Sequence, residues 1–223
     1  MLQPPDFDPM FRVGTRYRWD DDDPSVIDVQ PVGELYLPSG RLIAQDPGWG
    51  AHPRVAPFTV TVPPGRYPVT LSISHWERSS DPDVPSPLRV VNAAKLTVRD
   101  EPAVSWELAL LPGQNPAGLQ DGEFFGFGVD SGTGCFLDAS ALTHLDRMSY
   151  PRHPALHDAM RNAYKLGGTD LPTDDPDLNI IVFSCGMGDG AYPTWIGRTA
   201  TGDIACFISD LELLHHSLGP ETP

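Results

Sequence analysis

The sequence predicts an α+β chain that is mainly antiparallel β, folded as a sandwich or distorted barrel with one or two short helices in its second half. Three observations lead there. The 25 prolines and 21 glycines are more than a helical protein tolerates, because proline removes a backbone donor and fixes φ. Short apolar stretches, alternating with period two or continuous, recur between clusters of turn residues. Helical spacing with recognisable caps appears only after residue 138.

Along the chain, the run Asp20 to Asp23 reads as a hydrated loop, since a hard cation needs ligands spaced to wrap it and not a contiguous block. Residues 34–37 and 41–44, around Pro38-Ser39-Gly40, read as a short hairpin. Residues 58–62 alternate as a strand, Pro63-Pro64-Gly65 turns, and 67–74 resume an extended run. A polar loop over 79–87 precedes extended segments at 88–98 and 103–110, and 112–122 is a surface loop. Residues 124–138 read as strand, tight glycine loop and strand. A helix follows over 139–148, capped by Asp138 or Ser140. A second helix over 154–166 starts on proline and stops at Gly167-Gly168. Residues 178–183 form a continuous apolar strand, and 194–200 and 203–209 join through Thr201-Gly202. No repeat of fixed period is visible.

With 40% hydrophobic and 20% charged residues in 223, the chain can bury a core without metal or disulfide help. The organisation expected is an acidic, irregular segment over 1–30 and a single β-rich domain over 31–223, any subdomain boundary falling near 112–122. Thirty acidic against fifteen basic side chains give −15, a field that repels nucleic acid and anionic membrane surfaces. Cys135, Cys185 and Cys206 are widely spaced and odd in number, which suggests neither a disulfide framework nor a zinc cluster but a reducing cytoplasm. The N-terminus lacks a basic region followed by an apolar stretch, and no apolar run approaches the ~20 residues of a membrane span. A cytoplasmic location without membrane contact is therefore expected.

Several stretches carry a family resemblance: Leu37-Pro38-Ser39-Gly40-Arg41, Asp46-Pro47, Val62-Pro63-Pro64-Gly65-Arg66-Tyr67-Pro68-Val69, the run from Gly128 through Asp130-Ser131-Gly132-Thr133-Gly134 to Asp138, and Gly188-Asp189-Gly190-Ala191-Tyr192-Pro193. In combination they resemble an uncharacterised bacterial family, domain-of-unknown-function family 4241, over about residues 35–210. Met187 stands where that pattern has an aromatic residue, often tryptophan. The resemblance implies relatives and no particular reaction.

The residues with chemical potential lie in the two glycine-rich loops. Asp130-Ser131-Gly132-Thr133 matches the short signature of aspartic proteases, whose chemistry needs two carboxylates sharing a proton, but only one copy occurs. The plainer reading makes Gly132 and Gly134 turn residues. Gly186-Met187-Gly188-Asp189-Gly190 leads into a strand and not a helix, which argues against a phosphate cradle. His153 precedes Pro154 and so lies before the helix that carries His157, leaving no metal pair on one face. His215-His216 read as a solvated pair, and Asp170, Asp174, Asp175, Asp177 and Asn179 as a polar connection lacking calcium-loop spacing. Cys135 and Cys185 read as packed thiols. No pattern calls for a cofactor or metal.

Two functions remain open. One is a non-catalytic module that recognises a protein or small ligand through Asp130, Ser131, Gly132, Asp189, Gly190 and Tyr192. The other is a hydrolase using Asp130 and Asp189 as acid/base or metal-binding carboxylates. The second requires a concave pocket where Asp130, Asp189 and Ser131 converge; the first requires a flatter face with aromatic anchors such as Trp49, Trp76 or Trp195 exposed.

Overall fold

The computed structural model describes residues 1–20, 23–77, 87–149 and 153–221. Asp21, Asp22 and most of the 79–87 loop lie outside the described residues. The strands are β1 Arg16–Tyr17, β2 Ser25–Leu37, β3 Leu42–Gln45, β4 Gly65–Trp76, β5 Leu88–Thr97, β6 Ser105–Leu108, β7 Gly126–Val129, β8 Thr133–Asp138, β9 Gly168–Pro172, β10 Asn179–Ser184, β11 Gly190–Arg198 and β12 Ile204–Asp210. The helices are α1 Phe7–Met10, α2 Leu142–Ser149 and α3 Pro154–Leu166. A large curled sheet runs β1-β2-β4-β5-β12-β11-β6, with β7 also pairing β11, and a smaller one runs β3-β8-β10-β9. The fold is thus mostly antiparallel β, with its longer helices late in the chain.

Burial explains the layering. β8 and β10 are apolar on both faces: Phe136, Ile181 and Phe183 turn toward the curled sheet, while Cys135, Leu137, Ile180 and Val182 turn toward α2 and α3. α3 buries Leu156, Ala159, Met160 and Ala163, the one-sided stripe that helical spacing demands. His153 caps its start by accepting from the Ala155 amide, and Gly167 at φ 91 ends it. A third cluster, with Phe7, Met10, Ile27, Trp195 and Leu214, covers the other face of the curled sheet.

Several local expectations are corrected by these partners. Residues 34–44 are not a hairpin, because β2 pairs with β4 and β3 with β8, so the Pro38-Ser39-Gly40 turn carries the chain from one sheet to the other. Residues 58–62 alternate in burial but form no ladder; the Phe58 and Val62 amides reach only Leu42 and Gly40 carbonyls. Strand β9 has no periodic signal and exists through its pairing with β10. α1 and the start of β2 lie inside the stretch read as irregular. Asp138, not Ser140, is the cap of the turn before α2.

The two halves of the chain repeat one plan. Ser39-Gly40 and Asp46 recur, at the same separation, as Ser131-Gly132 and Asp138. Gly40 and Gly132 share φ values of 67 and 65, which glycine alone adopts without steric cost. Gly65-Arg66-Tyr67-Pro68 recurs as Gly190-Ala191-Tyr192-Pro193. The registers match as well: Leu37 and Leu35 face Gly65 and Tyr67 just as Val129 and Phe127 face Gly190 and Tyr192. Each tyrosine hydroxyl then donates to a carbonyl four residues back, Tyr67 to Pro63 at 2.5 Å and Tyr192 to Gly188 at 2.8 Å. β3 lies against β8, and β5 against β12, antiparallel, so a pseudo-twofold relation passes through both sheets. The spacer between the two motifs differs, which is why no fixed period shows.

Two crossed carboxylates hold this arrangement. Asp46, at the end of β3, accepts from the Asp130 and Ser131 amides and from Ser131 Oγ, all at 2.8 Å, and from the Gly48 amide at 2.7 Å. Asp138, at the end of β8, accepts from Ser39 Oγ at 2.8 Å, the Ser39 amide at 3.1 Å and the Ser140 amide at 2.8 Å. Both are fully buried. Each aspartate thus caps its own turn and fastens the loop before the opposite strand.

The C-terminal stretch returns across β1, where Tyr17 and Pro220 form a bridge. His215 and His216 are both exposed, and His215 is in addition tied down: its Nε2 lies 2.8 Å from Oδ2 of Asp210, whose side chain is fully buried. That hydrogen bond raises the His215 pKa.

Two predictions follow from these ties. Asp46→Ala and Asp138→Ala should each lower unfolding free energy by about 2–4 kcal/mol, since several donors lose their acceptor together; urea titrations giving losses below about 1 kcal/mol would refute the role assigned. Because the folded His215 pKa is raised, its pairing contributes fully below the ordinary value near 6.5 and fades as pH rises through the folded value. The stability gap between the native chain and His215→Gln should therefore narrow as pH rises above the ordinary histidine value near 6.5, and a gap independent of pH would contradict it.

Candidate functional site

The corner built by the second half brings the two glycine loops together. β7 ends on Val129, opposite Gly190 at the start of β11, so Asp130 and Asp189 occupy the next positions on neighbouring chains. The Cys185 amide donates to the Gly132 carbonyl at 3.0 Å, joining the loop after β10 to the loop before β8. The Tyr164 hydroxyl, from α3, donates to the Ser131 carbonyl at 2.6 Å. An ideal Cβ on Gly132 would stand 2.0 Å from that hydroxyl, so the close approach needs glycine. Burial, and then the nearby Asp189, push the Tyr164 pKa up.

The residues singled out in the sequence fall into different places. Asp130 and Asp189 are both exposed. Asp130 Oδ2 accepts from Trp49 Nε1 at 3.1 Å, and the indole lies over Gly128, where a Cβ would be only 2.8 Å away. Ser131 is half-buried with its hydroxyl committed to Asp46, and Gly132 is buried. Gly190 is exposed at the turn. Tyr192 lies beneath Gly190, 5% exposed, and acts as the internal strut of the turn; burial raises its pKa to about 12. Of the tryptophans considered as anchors, Trp76 and Trp195 are in the core and Trp49 alone is partly exposed.

Three participants have no signal of function in the sequence. Asp46 organises the site from beneath, and its Asp-Pro-Gly context signals only a local turn. Tyr164 and Met187 are 58% and 76% exposed and flank the carboxylates with apolar surface. Nothing in helical periodicity says which neighbour the outer face of α3 meets.

The chemistry available here is that of an open face. A cleft of about 50 Å³ between α3 and the 184–186 turn includes Tyr164 and Gly186 but neither aspartate. A cleft of about 640 Å³ lies at the chain termini. Cys135 and Cys185 are buried, and desolvation lifts both thiols well above their ordinary range, which leaves them unreactive. The acidic side chains in and after β9 are used within the chain: Asp170 accepts from Asn179 Nδ2 at 2.8 Å, Asp174 meets His144, and Asp175 accepts from the Asp177 amide. Among the described residues no group of three or more His, Cys, Asp or Glu side chains is placed to hold a metal ion. No described helix is long and apolar enough to cross a membrane.

The corner built by the first half is a natural control. It has the same glycine, the same tyrosine strut and the same buried aspartate tie, but Pro38 stands where the second corner has Asp130, and Pro64 where it has Asp189. The turn therefore needs no carboxylate at either position. The aspartic-protease signature likewise has no partner, since its counterpart reads Pro38-Ser39-Gly40.

Fold and site together define a duplicated, mainly antiparallel β protein whose two corners have diverged. The chain belongs to the family described as "Protein of unknown function (DUF4241)", whose model matches residues 35–209. No curated protein and no solved structure matches it.

The contact between Gly132 and Tyr164 can be measured by a double-mutant cycle. Gly132→Ala should cost about 1–2 kcal/mol, combining left-handed backbone strain with displacement of the tyrosine. In a Tyr164→Ala background the cost should fall toward the strain alone, about 1 kcal/mol; additive losses would mean that the two residues do not share the corner.

Proposed function

We propose that this chain is a non-catalytic binding module that recognises a partner protein through the face around Asp130 and Asp189. One observation carries the reading: the chain builds the same turn twice, once with prolines and once with exposed aspartates. What backbone geometry does not require, a partner can use. Trp49, Tyr164 and Met187 surround the carboxylates with partly or largely exposed apolar surface. Apolar anchors beside carboxylates that meet no cation among the described residues suit a protein segment carrying a lysine or arginine among apolar residues. The chain's charge of −15 would favour the encounter with such a segment.

A hydrolase built on the same two aspartates is less well supported. It asks for an enclosed site, and the clefts of about 50 and 640 Å³ are lined by other residues.

Affinity capture with the native chain and with the Asp130→Asn/Asp189→Asn/Met187→Glu variant tests the reading. Both chains should unfold at the same denaturant concentration within about 0.5 kcal/mol, and a partner held by the native chain should be lost from the variant. Equal retention of every captured protein would dismiss this face as the recognition surface.

A further inference from the structure

The two corners are opposite in charge. The second carries Asp130 and Asp189, whereas the first has cations at neighbouring positions: Arg41 aligns with Thr133, and Arg66 with Ala191. Both arginines are exposed. The Val62 amide donates to the Gly40 carbonyl at 2.9 Å, which sets Arg41 beside the Pro63-Pro64-Gly65 turn and Arg66. The Arg66 guanidinium lies 4.0 Å from the centre of the Tyr36 ring, the residue opposite it in the ladder, and is held at the surface by that contact. Among the described residues neither arginine forms an ion pair, although Glu34 stands two residues from Tyr36 on β2. Asp138, the acid of this corner, is buried and occupied by Ser39 and Ser140.

The tyrosine struts register the same contrast. Burial raises the Tyr67 pKa, and the nearby Arg99, which also meets Asp203, works against the rise. At Tyr192 burial comes first, and Cys185, Glu212 and Asp189 all add to it. The corners also stand at opposite ends of one ladder, since Gly40 leads into β3 and Gly132 into β8, which pair antiparallel. The run from Gly40 to Asp46, which fastens the second loop, spans about 20 Å at the rise of a strand. One copy therefore cannot join its own two corners, but two copies can.

Granted the recognition role of the Asp130 and Asp189 face, we infer that its partner is a second copy of this chain, docked through the Arg41 and Arg66 corner. That corner offers cations among apolar residues, with exposed Pro38, Pro63 and Pro64 and half-buried Tyr36 beside the arginines. The net charge of −15 opposes the approach of two copies. At about 0.15 M salt the Debye length is about 8 Å, so the long-range repulsion is screened while charges in contact still attract. Because the two surfaces differ, the contact is head to tail and leaves one of each corner free for a further copy. Two small corners bury little area, which sets the dissociation constant on the order of 100 μM.

Sedimentation equilibrium of the full chain at about 0.15 M salt, from roughly 10 to 1,000 μM, provides the test. The average mass of the native chain should climb past that of a dimer. Arg41→Glu/Arg66→Glu and Asp130→Lys/Asp189→Lys should each weaken association at least about tenfold, because like charges then face each other. An equimolar mixture of the two variants should associate again. The aspartate variant makes the whole chain less negative, which on net charge alone would strengthen association, so a loss there isolates the corner. Asp189→Lys alone, at an exposed position, takes its place if the double variant does not fold. A native chain at monomer mass throughout, folded variants that associate as the native chain does, or a mixture that stays unassociated would overturn the inference. A different protein captured by the native chain and lost from the Asp130→Asn/Asp189→Asn/Met187→Glu variant, with the native chain monomeric, would keep the recognition face and remove only the second copy as its partner.

Discussion

Two buried carboxylates crossing between β3 and β8 are the constraint on which the rest of the molecule depends. A buried charge is tolerated only when nearby donors satisfy it. Asp46 and Asp138 meet that demand by drawing in amides and hydroxyls from the other half of the chain. The small sheet is therefore closed at both ends by the same chemical device, and neither half can hold its loop alone. The loops before β3 and β8 connect onward to the curled sheet, so the ties also set how the sheets meet.

Given that frame, the duplicated plan explains which features are architecture and which are elaboration. The tyrosine struts and left-handed glycines occur in both corners, because the chain must pass from one sheet to the other twice. The aspartates at 130 and 189 occur once. So does the excursion through α2, α3, β9 and β10, which brings Tyr164 onto the second corner; in the first half the corresponding stretch passes the edge of β3 with the Phe58 and Val62 amides and no ladder. Divergence at one corner and economy at the other separate the proposed recognition face from its scaffold.

Much of the fold was legible from local chemistry. α3 begins and ends where proline and glycine place it, and β8 and β10 stand out as apolar runs because both their faces are buried. Where reading failed, a partner distant in sequence had decided the outcome. β3 is not a hairpin arm, because its neighbour is β8, and residues 58–62 alternate yet stay outside a ladder, because their amides meet single carbonyls. The repeat escaped notice because its motifs are short and unequally spaced. At the site, both glycine loops were identified, but Asp46 stood only within the Asp46-Pro47 motif of the family resemblance, and Tyr192 was expected to meet a ligand although it turns inward.

By itself the sequence determined the class of fold, the acidic field, the buried thiols and the two loops, since these depend on residue type, period and turn chemistry. Tertiary structure alone decided that the two loops meet, that Asp46 fastens one of them from the far half, that Tyr192 turns inward, and that the arginines and the aspartates stand at opposite ends of one ladder. The physical reason is the same in each case. Propensity and periodicity act over a few residues, whereas the partner of a buried polar group is chosen by whatever chain the fold brings within about 3 Å of it.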